Sequence, residues 1–404
     1  MISFYSKMAK YPSASILLVA LVCVSGVAQT RGHDIHNGIC KSLVETRGYI
    51  CQEHQVTTED GYILGLQRIP YGRSGRNSAT DQKPPVLLQH GLIIDASSWL
   101  LNPPDQALAF ILADKGFDVW LANSRGTDSS RGHKSLTTND PAYWEWTWEQ
   151  LAAYDLPALF NYVNKQTGQK SHYVGHSLGT LTILAALSQQ KLRNSLRSAA
   201  LLSPIAYLGQ ISTLFIRVTT QTFYAEQFYI VGVREFPPLP PLERTLQTII
   251  CIQPGVDCSN FLAAITGPNC CLNPSSLDLY YNHTPQSTAT KNAIHLSQMI
   301  RSGTIRMFDY TLPLTNLQHY NTFTPPVYNM ANIQKDIPLF LSYGGRDALS
   351  DVNDVKTLLN DLNDHDKDKL VEQYIEEYAH YDFVMGENAR QKVYDPLLAF
   401  FRQH

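Results

Sequence analysis

The sequence predicts an α/β protein with a mostly parallel central sheet and helices on both faces. Short apolar runs alternate with helical patterns through the first half of the 404-residue chain and again near its end. Apolar runs of this length, separated by helices, are typical of strands in a buried parallel sheet. The alternation stops once, between about residues 205 and 330, and then resumes, which predicts one core that carries an insertion.

Composition excludes several other classes. Hydrophobic residues make up 44% of the chain and charged residues 17%, so we do not expect a disordered protein. The net charge is −3 and no cluster of Lys and Arg is present, so we expect no nucleic-acid partner. A mean hydropathy of −0.19 is too low for a protein with many membrane spans. The length exceeds that of one small domain.

Residues 1–28 have the pattern of a signal peptide. Lys7 and Lys10 precede a short apolar run at residues 15–24, and small residues follow at 26–28. The run is shorter than the roughly 20 apolar residues of a membrane-spanning helix, so an uncleaved anchor is the weaker alternative. We therefore expect a secreted protein, with a vacuolar or lysosomal destination as the alternative.

Removal of the signal peptide would also remove Cys23 and leave an even number of cysteines, which predicts disulfides in a secreted chain. The first two are close in sequence and could join each other. The last two are adjacent and poorly placed to pair together, so we expect each to bond to one of the two before them. Free thiols are the alternative, and zinc is disfavoured because no Cys-x-x-Cys occurs. The six are Cys40, Cys51, Cys251, Cys258, Cys270 and Cys271.

Each predicted element follows from a local pattern. A hairpin is expected over residues 56–69, where Glu59-Asp60-Gly61 separates two extended pieces. Apolar runs predict the remaining strands, and amphipathic stretches between them predict helices. The strands are expected at residues 85–88, 117–122, 172–174, 199–202, 337–343 and 371–375, and the helices at 106–114, 154–164, 178–187, 351–362 and 390–401.

Residues 205–330 are expected to form a mostly helical cap over the core. The segment is rich in aromatic residues, holds four of the six remaining cysteines and lacks strand–helix alternation. A separate domain is the alternative, which the return of alternation after residue 337 disfavours. The predicted division is a signal peptide at 1–28, a core at 29–204, the cap at 205–330 and the last part of the core at 331–404.

The sharpest motif is Gly-His-Ser-Leu-Gly at residues 175–179, which matches G-x-S-x-G. A predicted strand ends before it and a predicted helix begins within it, as in a nucleophile elbow. This turn would raise the Ser177 hydroxyl above the sheet edge at a helix N-terminus, where free N–H groups favour developing negative charge. Gly175 and Gly179 are expected where a side chain would clash, and His176 is expected to be structural.

Asp347 is the candidate acid. A serine hydroxyl needs a base to take its proton, and in this arrangement the partners follow in the order Ser, acid, His. Asp347 directly follows the predicted strand at 337–343, and active sites of α/β proteins collect at the carboxyl ends of strands. Asp351 and Asp354 are rivals, but they fall at the start of a predicted helix, where Asp is more often a cap.

His380 is the candidate base among the three histidines that follow Asp347. His365 lies in the charged run 364–368, which predicts a solvated loop, and His404 is the last residue and is expected to fray. His380 instead follows a predicted strand and precedes the last helix. We expect Asp347 to fix the tautomer of this imidazole and to stabilise the imidazolium.

Two backbone amides are expected to form an oxyanion hole. One belongs to Leu178, the residue after the nucleophile. The other belongs to Leu92, in the loop after the strand at 85–88, where Gly91 permits a close approach. His90 precedes this glycine beside the strand end, so we expect it to order the loop or support the hole.

Together these segments resemble the acid lipase family, which includes the gastric and lysosomal acid lipases, and they resemble its plant members most closely. The likeness runs from about residue 38 to the C-terminus and is far more specific than the pentapeptide alone. Animal members usually carry Gln where this chain has Leu178, but a backbone donor should survive that change. The cap cysteines also look plant-like, so no disulfide pairs follow from the animal enzymes. The matching segments are 51–54, 60–64, 89–92, 119–126, 175–180, 344–347 and 378–382.

The resemblance implies an α/β-hydrolase fold and an ester hydrolase that acts on acylglycerols or related neutral lipids, without a metal or organic cofactor. A soluble-substrate carboxylesterase or a sterol esterase on the same triad is the alternative, because one fold serves many substrates. A non-enzymatic lipid carrier is a third hypothesis. The expected partner is a lipid ester at an interface or micelle, with transient contact to a membrane or lipid droplet. Asn282 begins an Asn-His-Thr glycosylation sequon.

Overall fold

A computed structural model describes residues 38–74, 82–237 and 261–404; the predicted signal peptide, Cys251 and Cys258 lie outside the described residues. The described chain is built around a nine-stranded sheet, with a separate two-stranded ribbon. The strands are β1 Gln52–Thr57, β2 Tyr62–Ile69, β3 Pro85–Gln89, β4 Asp118–Ala122, β5 Gly132–His133, β6 Ser171–His176, β7 Leu196–Leu202, β8 Glu235–Phe236, β9 Thr288–Ala289, β10 Leu339–Gly344 and β11 Leu370–Ile375.

The strand order of the main sheet is β1-β2-β4-β3-β6-β7-β10-β11, with β5 beside β2. Strands β4, β3, β6, β7, β10 and β11 run parallel to one another. At one edge β1 and β2 form the expected hairpin, and β2 pairs antiparallel with β4. The prediction of a mostly parallel central sheet is confirmed.

The helices between the strands agree with their predicted positions to within a few residues. Leu178–Ser188, for example, was expected at 178–187. Among the described helices, none has the length and apolar character to cross a bilayer. The helices are α1 Leu108–Asp114, α2 Trp148–Gln150, α3 Leu156–Thr167, α4 Leu178–Ser188, α5 Leu214–Gln221, α6 Tyr224–Ile230, α7 Phe261–Thr266, α8 Pro274–His283, α9 Thr290–Ser302, α10 Pro313–Tyr320, α11 Val352–Asp361, α12 Asp382–Met385 and α13 Asp395–Gln403.

Alternate residues of the central strands supply two separate apolar cores, one on each face of the sheet. On β3, Leu87 belongs to one core, whereas Val86 and Leu88 belong to the other. All five residues of β3 and of β4 are buried. Burial of each such aliphatic side chain stabilises the folded state by roughly 2 kcal/mol. The strands with the most apolar sequences therefore form the middle of the sheet.

The segment between β7 and β10 forms helices α5 to α10 and the β8–β9 ribbon. Because β7 and β10 pair directly with each other, this segment leaves the sheet and returns to it at neighbouring strands. Within its described residues, 205–237 and 261–330, helices are the main regular elements, whereas the two-residue strands β8 and β9 were not foreseen. We keep the name cap for residues 205–330, whose boundaries remain a prediction.

Two disulfides lie within the described residues. Cys40 bonds to Cys51, as expected. Cys270 bonds to Cys271, so the expectation that these neighbours would not pair with each other differs from the structure. Adjacent residues are unusual partners, because consecutive Cα atoms are about 3.8 Å apart and bonded cysteines usually have Cα atoms about 4.4–6.8 Å apart. Here the backbone bends so that the two sulfur atoms meet although the Cα atoms are 3.7 Å apart.

Candidate active site

Ser177 occupies a sharp turn between strand β6 and helix α4. Its backbone has a φ of 53° and a ψ of −117°, a region that L-residues rarely adopt. Such a conformation costs on the order of 1–3 kcal/mol and persists only where the surroundings enforce it. Ser177 is 7% exposed and lies directly before the first turn of α4, whose free N–H groups point toward it.

The glycines that flank Ser177 allow the turn to close. A Cβ atom added to Gly175 would lie 2.8 Å from the carbonyl carbon of Gly179. A Cβ atom added to Gly179 would lie 2.6 Å from the carbonyl oxygen of Gln89, at the end of β3. Both distances are too short for real Cβ contacts, which agrees with the expected clash. Helix α4 can therefore start tight against the sheet.

Asp347 and His380 form a buried pair. The Nδ1 atom of His380 lies 3.0 Å from Oδ2 and 3.1 Å from Oδ1 of Asp347. Oδ1 also accepts hydrogen bonds from the amides of Leu349 and Ser350, at 2.9 and 2.8 Å. Burial acts to raise the pKa of Asp347, but the positive charge of His380 and these hydrogen bonds outweigh it, and the pKa lies below its usual range.

His176 contacts the His380 residue of the Asp347–His380 pair, and Gly91 brings the loop after β3 close to the turn at Ser177. The Nε2–H of His176 donates to the carbonyl oxygen of His380 at 2.9 Å, and the two rings lie 4.8 Å apart. Burial, and then the charge of His380, lower the pKa of His176 to about 3, so this ring is neutral. A Cβ atom added to Gly91 would lie 3.0 Å from the Cβ atom of Ser177. The structure thus gathers Ser177, His380, Asp347 and the loop after β3.

His90 organises the loop after β3. Its Nδ1–H donates to the Gly91 carbonyl at 2.7 Å, and its Nε2 accepts from the Ser124 amide at 3.0 Å. Burial lowers the pKa of His90 to about 4, so the ring stays neutral and both bonds persist near neutral pH. This geometry agrees with the expected loop-ordering role, and Leu92 lies in the turn that follows Gly91.

Comparisons with known proteins match this architecture. Residues 40–103 match the family described as "partial alpha/beta-hydrolase lipase region", and residues 84–229 match "alpha/beta hydrolase fold". Triacylglycerol lipase 2 of Arabidopsis thaliana is 48% identical over 91% of this chain and 88% of its own length. Gastric triacylglycerol lipase of Homo sapiens is 33% identical over 96% of this chain and 98% of its own. The chain belongs to the α/β-hydrolase lipase family.

Membership in this lipase family makes the chain a carboxylic ester hydrolase and confirms the resemblance found in the sequence. Solved structures agree in fold. A monoglyceride lipase of Saccharomyces cerevisiae has a TM-score of 0.54 at 16% identity, covering 87% of this chain and 94% of its own. A Sulfolobus solfataricus structure described as a putative lipase has a TM-score of 0.56 at 15% identity, covering 88% and 94%. At such identities the likeness establishes the α/β-hydrolase fold alone.

The two alternative candidates for the catalytic acid of this lipase-family chain, Asp351 and Asp354, bind backbone amides elsewhere. Asp351 caps α11 by accepting from the Asn353 amide at 2.7 Å. Asp354 accepts from the Gln210 amide at 2.9 Å and so ties α11 to the start of the cap. Both observations agree with the preference for Asp347.

The rival histidines behave differently from expectation. The run 364–368 is a solvated loop as predicted, because its four charged residues are exposed. The side chain of His365 is nevertheless buried, and its Nε2–H donates to the Ile337 carbonyl at 2.7 Å. His404 does not fray freely, because its carbonyl accepts from Arg197 at 2.7 Å. Charged neighbours in the sequence concealed the burial of His365, which anchors the loop before β11 to Ile337, two residues before β10 begins.

Sequence reasoning assigned no role to Asp382 or to residues 266–271, yet both contact the backbone around His380. An Asp two positions after the candidate base was a visible signal, but its partners lie far away in the chain. Asp382 also forms, with Cys270 and Cys271, a group of close potential metal ligands. The two cysteines are bonded to each other, and the carboxylate accepts three backbone amides, so this donor set does not suit a metal ion.

Proposed function

We propose that the chain is a secreted lipase that hydrolyses acylglycerols through Ser177, His380 and Asp347. The observation that carries the proposal is the strained Ser177 turn beside a buried histidine whose Nδ1 lies 3.0 Å from a carboxylate. The names of relatives such as the Arabidopsis and gastric triacylglycerol lipases support acylglycerols as the substrate class. No metal or organic cofactor takes part in this mechanism.

In the first half of the reaction, the Ser177 Oγ attacks the ester carbonyl carbon while the His380 Nε2 takes the hydroxyl proton. Asp347, held ionised by its contacts, keeps the Nδ1–H in place and stabilises the imidazolium. The carbonyl oxygen becomes an oxyanion that accepts from the Leu92 and Leu178 amides. The carbon–oxygen bond then breaks, and His380 gives its proton to the departing alcohol.

In the second half, water attacks the acyl-enzyme and passes a proton to His380. The same two amides hold the second oxyanion. The fatty acid leaves as the proton returns to the Ser177 oxygen, so the enzyme regains its starting state. The neutral His90 supports the hole in both halves by fixing the Gly91 carbonyl away from it.

Exposed apolar side chains of the cap support a lipid surface as the working partner. Ile230 is 68% exposed, and Leu214, Val218 and Val231 are each at least 40% exposed. Helix α5, which carries two of them, begins just after Ser212, whose amide donates to the Ala348 carbonyl beside Asp347. Such a patch near a catalytic centre suits contact with a micelle, membrane or lipid droplet.

Secretion is supported by covalent features of the mature region. The Cys40–Cys51 disulfide fits an oxidising compartment. Asn282, in the predicted sequon, is exposed on helix α8 and open to glycosylation. The predicted signal peptide at residues 1–28 completes the proposal, and a vacuolar or lysosomal destination would use the same entry route.

Replacement of the nucleophile tests the proposed function. Ser177→Ala should lower hydrolysis of emulsified triacylglycerol by at least about 10⁴-fold, because the covalent route is lost. Alanine keeps the same backbone, so the melting temperature should change little. A serine-reactive phosphonate should label the wild-type protein and not the variant.

Near-full activity of Ser177→Ala would contradict the proposal, and failure of the phosphonate to label the wild-type protein would favour the lipid-carrier hypothesis. The wild-type rate should also rise once the substrate exceeds its solubility. A rate on soluble short esters that shows no such rise would instead support the carboxylesterase alternative. Faster cleavage of emulsified sterol esters than of triacylglycerol would favour the sterol esterase.

A further inference from the structure

The loop that carries His380 is held by three consecutive backbone amides. The Ala379 amide donates to Asp382 Oδ2 at 2.7 Å, and the His380 amide donates to the Thr266 carbonyl at 3.2 Å. The Tyr381 amide donates to Asn269 Oδ1 at 3.0 Å. Two of these acceptors belong to residues 266–271 of the cap. The backbone around His380 is thus attached to the cap as well as to the sheet.

Asp382 joins the two sides of this attachment. Its Oδ2 also accepts from the Cys270 amide, and its Oδ1 accepts from the Cys271 amide, both at 3.1 Å. One carboxylate therefore binds an amide of the His380 loop and two amides of the cap segment. The side chain is fully buried, so these three amides take the place of water.

Residues 266–271 also contact the loop that carries Asp347. The Thr266 carbonyl accepts a second hydrogen bond, from the Ala348 amide at 3.3 Å. Gly267 has a φ of +92°, and a Cβ atom there would lie 2.1 Å from the Arg346 carbonyl oxygen. The segment therefore packs against the residues on both sides of Asp347 at a distance that only glycine permits.

We propose that Asp382 is a positioning residue that keeps the His380 imidazole aligned with Asp347, a role that rests on the proposed function. Asp382 acts through the backbone and touches neither the substrate nor the reacting atoms. By fixing the Ala379 amide relative to the cap segment, it sets where the imidazole sits. Alignment is demanding, because a displacement of about 1 Å in an active site can cost about 100-fold in rate.

The role requires a carboxylate rather than a carboxamide. All three partners of Asp382 are N–H donors, so each needs an acceptor. An asparagine at this position would offer one acceptor oxygen and would turn its NH₂ group toward at least one of these donors. Burial raises the pKa of Asp382, and the three amides oppose that rise by favouring the ionised form.

Other contacts keep the loop folded when Asp382 is changed. The His380 carbonyl accepts from His176 at 2.9 Å and from the Ser203 hydroxyl at 3.3 Å. The Tyr381 hydroxyl accepts from the Tyr280 hydroxyl at 2.9 Å. A variant at Asp382 should therefore loosen the alignment of His380 without unfolding the protein.

Asp382→Asn tests this role through separate kinetic constants. On a soluble ester, kcat should fall about 10- to 100-fold while KM changes by less than about twofold, because alignment is lost and substrate contacts are kept. The rate of phosphonate labelling at Ser177 should fall by a similar factor. The low-field proton resonance of the His380 Nδ1–H should broaden or vanish.

Asp354→Asn is the matched control. Asp354 is also a buried carboxylate that accepts a backbone amide and joins the core to the cap, but its partner is Gln210. This variant should lose stability to a similar degree while its kcat and labelling rate remain within about twofold of wild type. The low-field resonance should persist.

Two results would overturn the positioning role. One is an Asp382→Asn variant whose kcat and labelling rate equal those of the wild type. The other is a loss of kcat in Asp382→Asn that is no larger than the loss in Asp354→Asn. If Asp382→Asn fails to fold, Asn269→Ala decides the matter, because among the three amides of the His380 loop it frees only that of Tyr381. Its other losses are two hydrogen bonds within the cap segment, to the Thr266 hydroxyl and the Gly267 carbonyl. That variant should lower kcat several-fold at unchanged KM, and an unchanged kcat would overturn the proposal. An active Ser177→Ala would instead refute the proposed triad itself.

Discussion

Asp347 differs from its acidic neighbours in what surrounds its carboxylate. It faces the His380 ring and two backbone amides, whereas Asp351 and Asp354 each bind backbone amides away from any histidine. Because the pKa of Asp347 lies below its usual range, this carboxylate stays ionised to lower pH than an ordinary aspartate does. In the proposed mechanism, this acid should therefore keep its reactive, ionised form under mildly acidic conditions.

Asp347→Asn should lower kcat on a soluble ester by about 10³- to 10⁴-fold, because an amide neither favours the reactive tautomer nor stabilises the imidazolium. The measurement is steady-state hydrolysis from pH 4 to pH 8, with protein concentration corrected by phosphonate titration. Asp351→Asn, which keeps a good N-cap residue at the start of α11, should stay within about threefold of wild type. Equal losses in the two variants would count against Asp347 as the acid.

At the residue scale, the sequence predicted the catalytic candidates that belong to short, recognisable motifs. Ser177 lies in a motif whose chemistry demands glycines at fixed spacing, and Asp347 and His380 each follow a predicted strand. Asp382 had no such pattern, because its partners Cys270 and Cys271 are more than 100 residues away in the chain. His365 was misjudged because local charge does not report burial.

Helix α4 approaches the sheet so closely that position 179, in its first turn, has no space for a side chain. The contact is between Gly179 and the carbonyl oxygen of Gln89, at the end of β3. Any added atom must push α4 away from β3, and Ser177 lies at the junction that would move. Packing between these two elements thus sets the position of the nucleophile.

Gly179→Ala should destabilise the protein by about 2–3 kcal/mol through overpacking and should also lower kcat. Gly116→Ala is the control, because a Cβ atom there meets nothing within 4 Å and its positive φ adds a cost of only about 1–2 kcal/mol. Urea unfolding and steady-state hydrolysis measure the two effects. If Gly179→Ala keeps the wild-type kcat, the packing of α4 against β3 does not set the position of the nucleophile.

At the element scale, the sequence predicted the strands that are apolar throughout, because burial on both faces leaves a continuous run. It predicted neither the β8–β9 ribbon nor β5, since two-residue strands have no period. The Cys270–Cys271 bond was also missed, because it depends on a backbone bend that Asp382 holds from a distant part of the chain. Local pattern thus predicts elements better than their tertiary contacts.

The molecule as a whole buries several histidines as neutral rings. Burial lowers the pKa of His90 to about 4 and of His172, His176 and His295 to about 3. The unfolded chain binds these protons near pH 6.5, whereas the folded chain does not. The stability that these histidines contribute is therefore complete above pH 6.5 and is lost as pH falls from 6.5 toward 3.

His172→Phe should make this acid loss of stability shallower. The ring is far from Ser177 in the fold, stacks on Phe401 and contacts Ser198, so its removal should affect stability and not catalysis. Melting temperatures measured from pH 7 to pH 4 give the slope. A variant slope at His172 equal to that of wild type would contradict the assignment.

The cap leaves β7 and returns to β10, two strands that lie side by side at about 4.8 Å. Ends so close together let evolution exchange the inserted segment for another without redesigning the sheet, which is one route to new substrate preferences. In this chain the exchange is not free, because residues 266–271 of the insert also hold the loops of Asp347 and His380. A cap taken from another protein would therefore have to supply equivalent hydrogen bonds to the two catalytic loops. A change of cap should thus alter the turnover rate as well as the substrate preference.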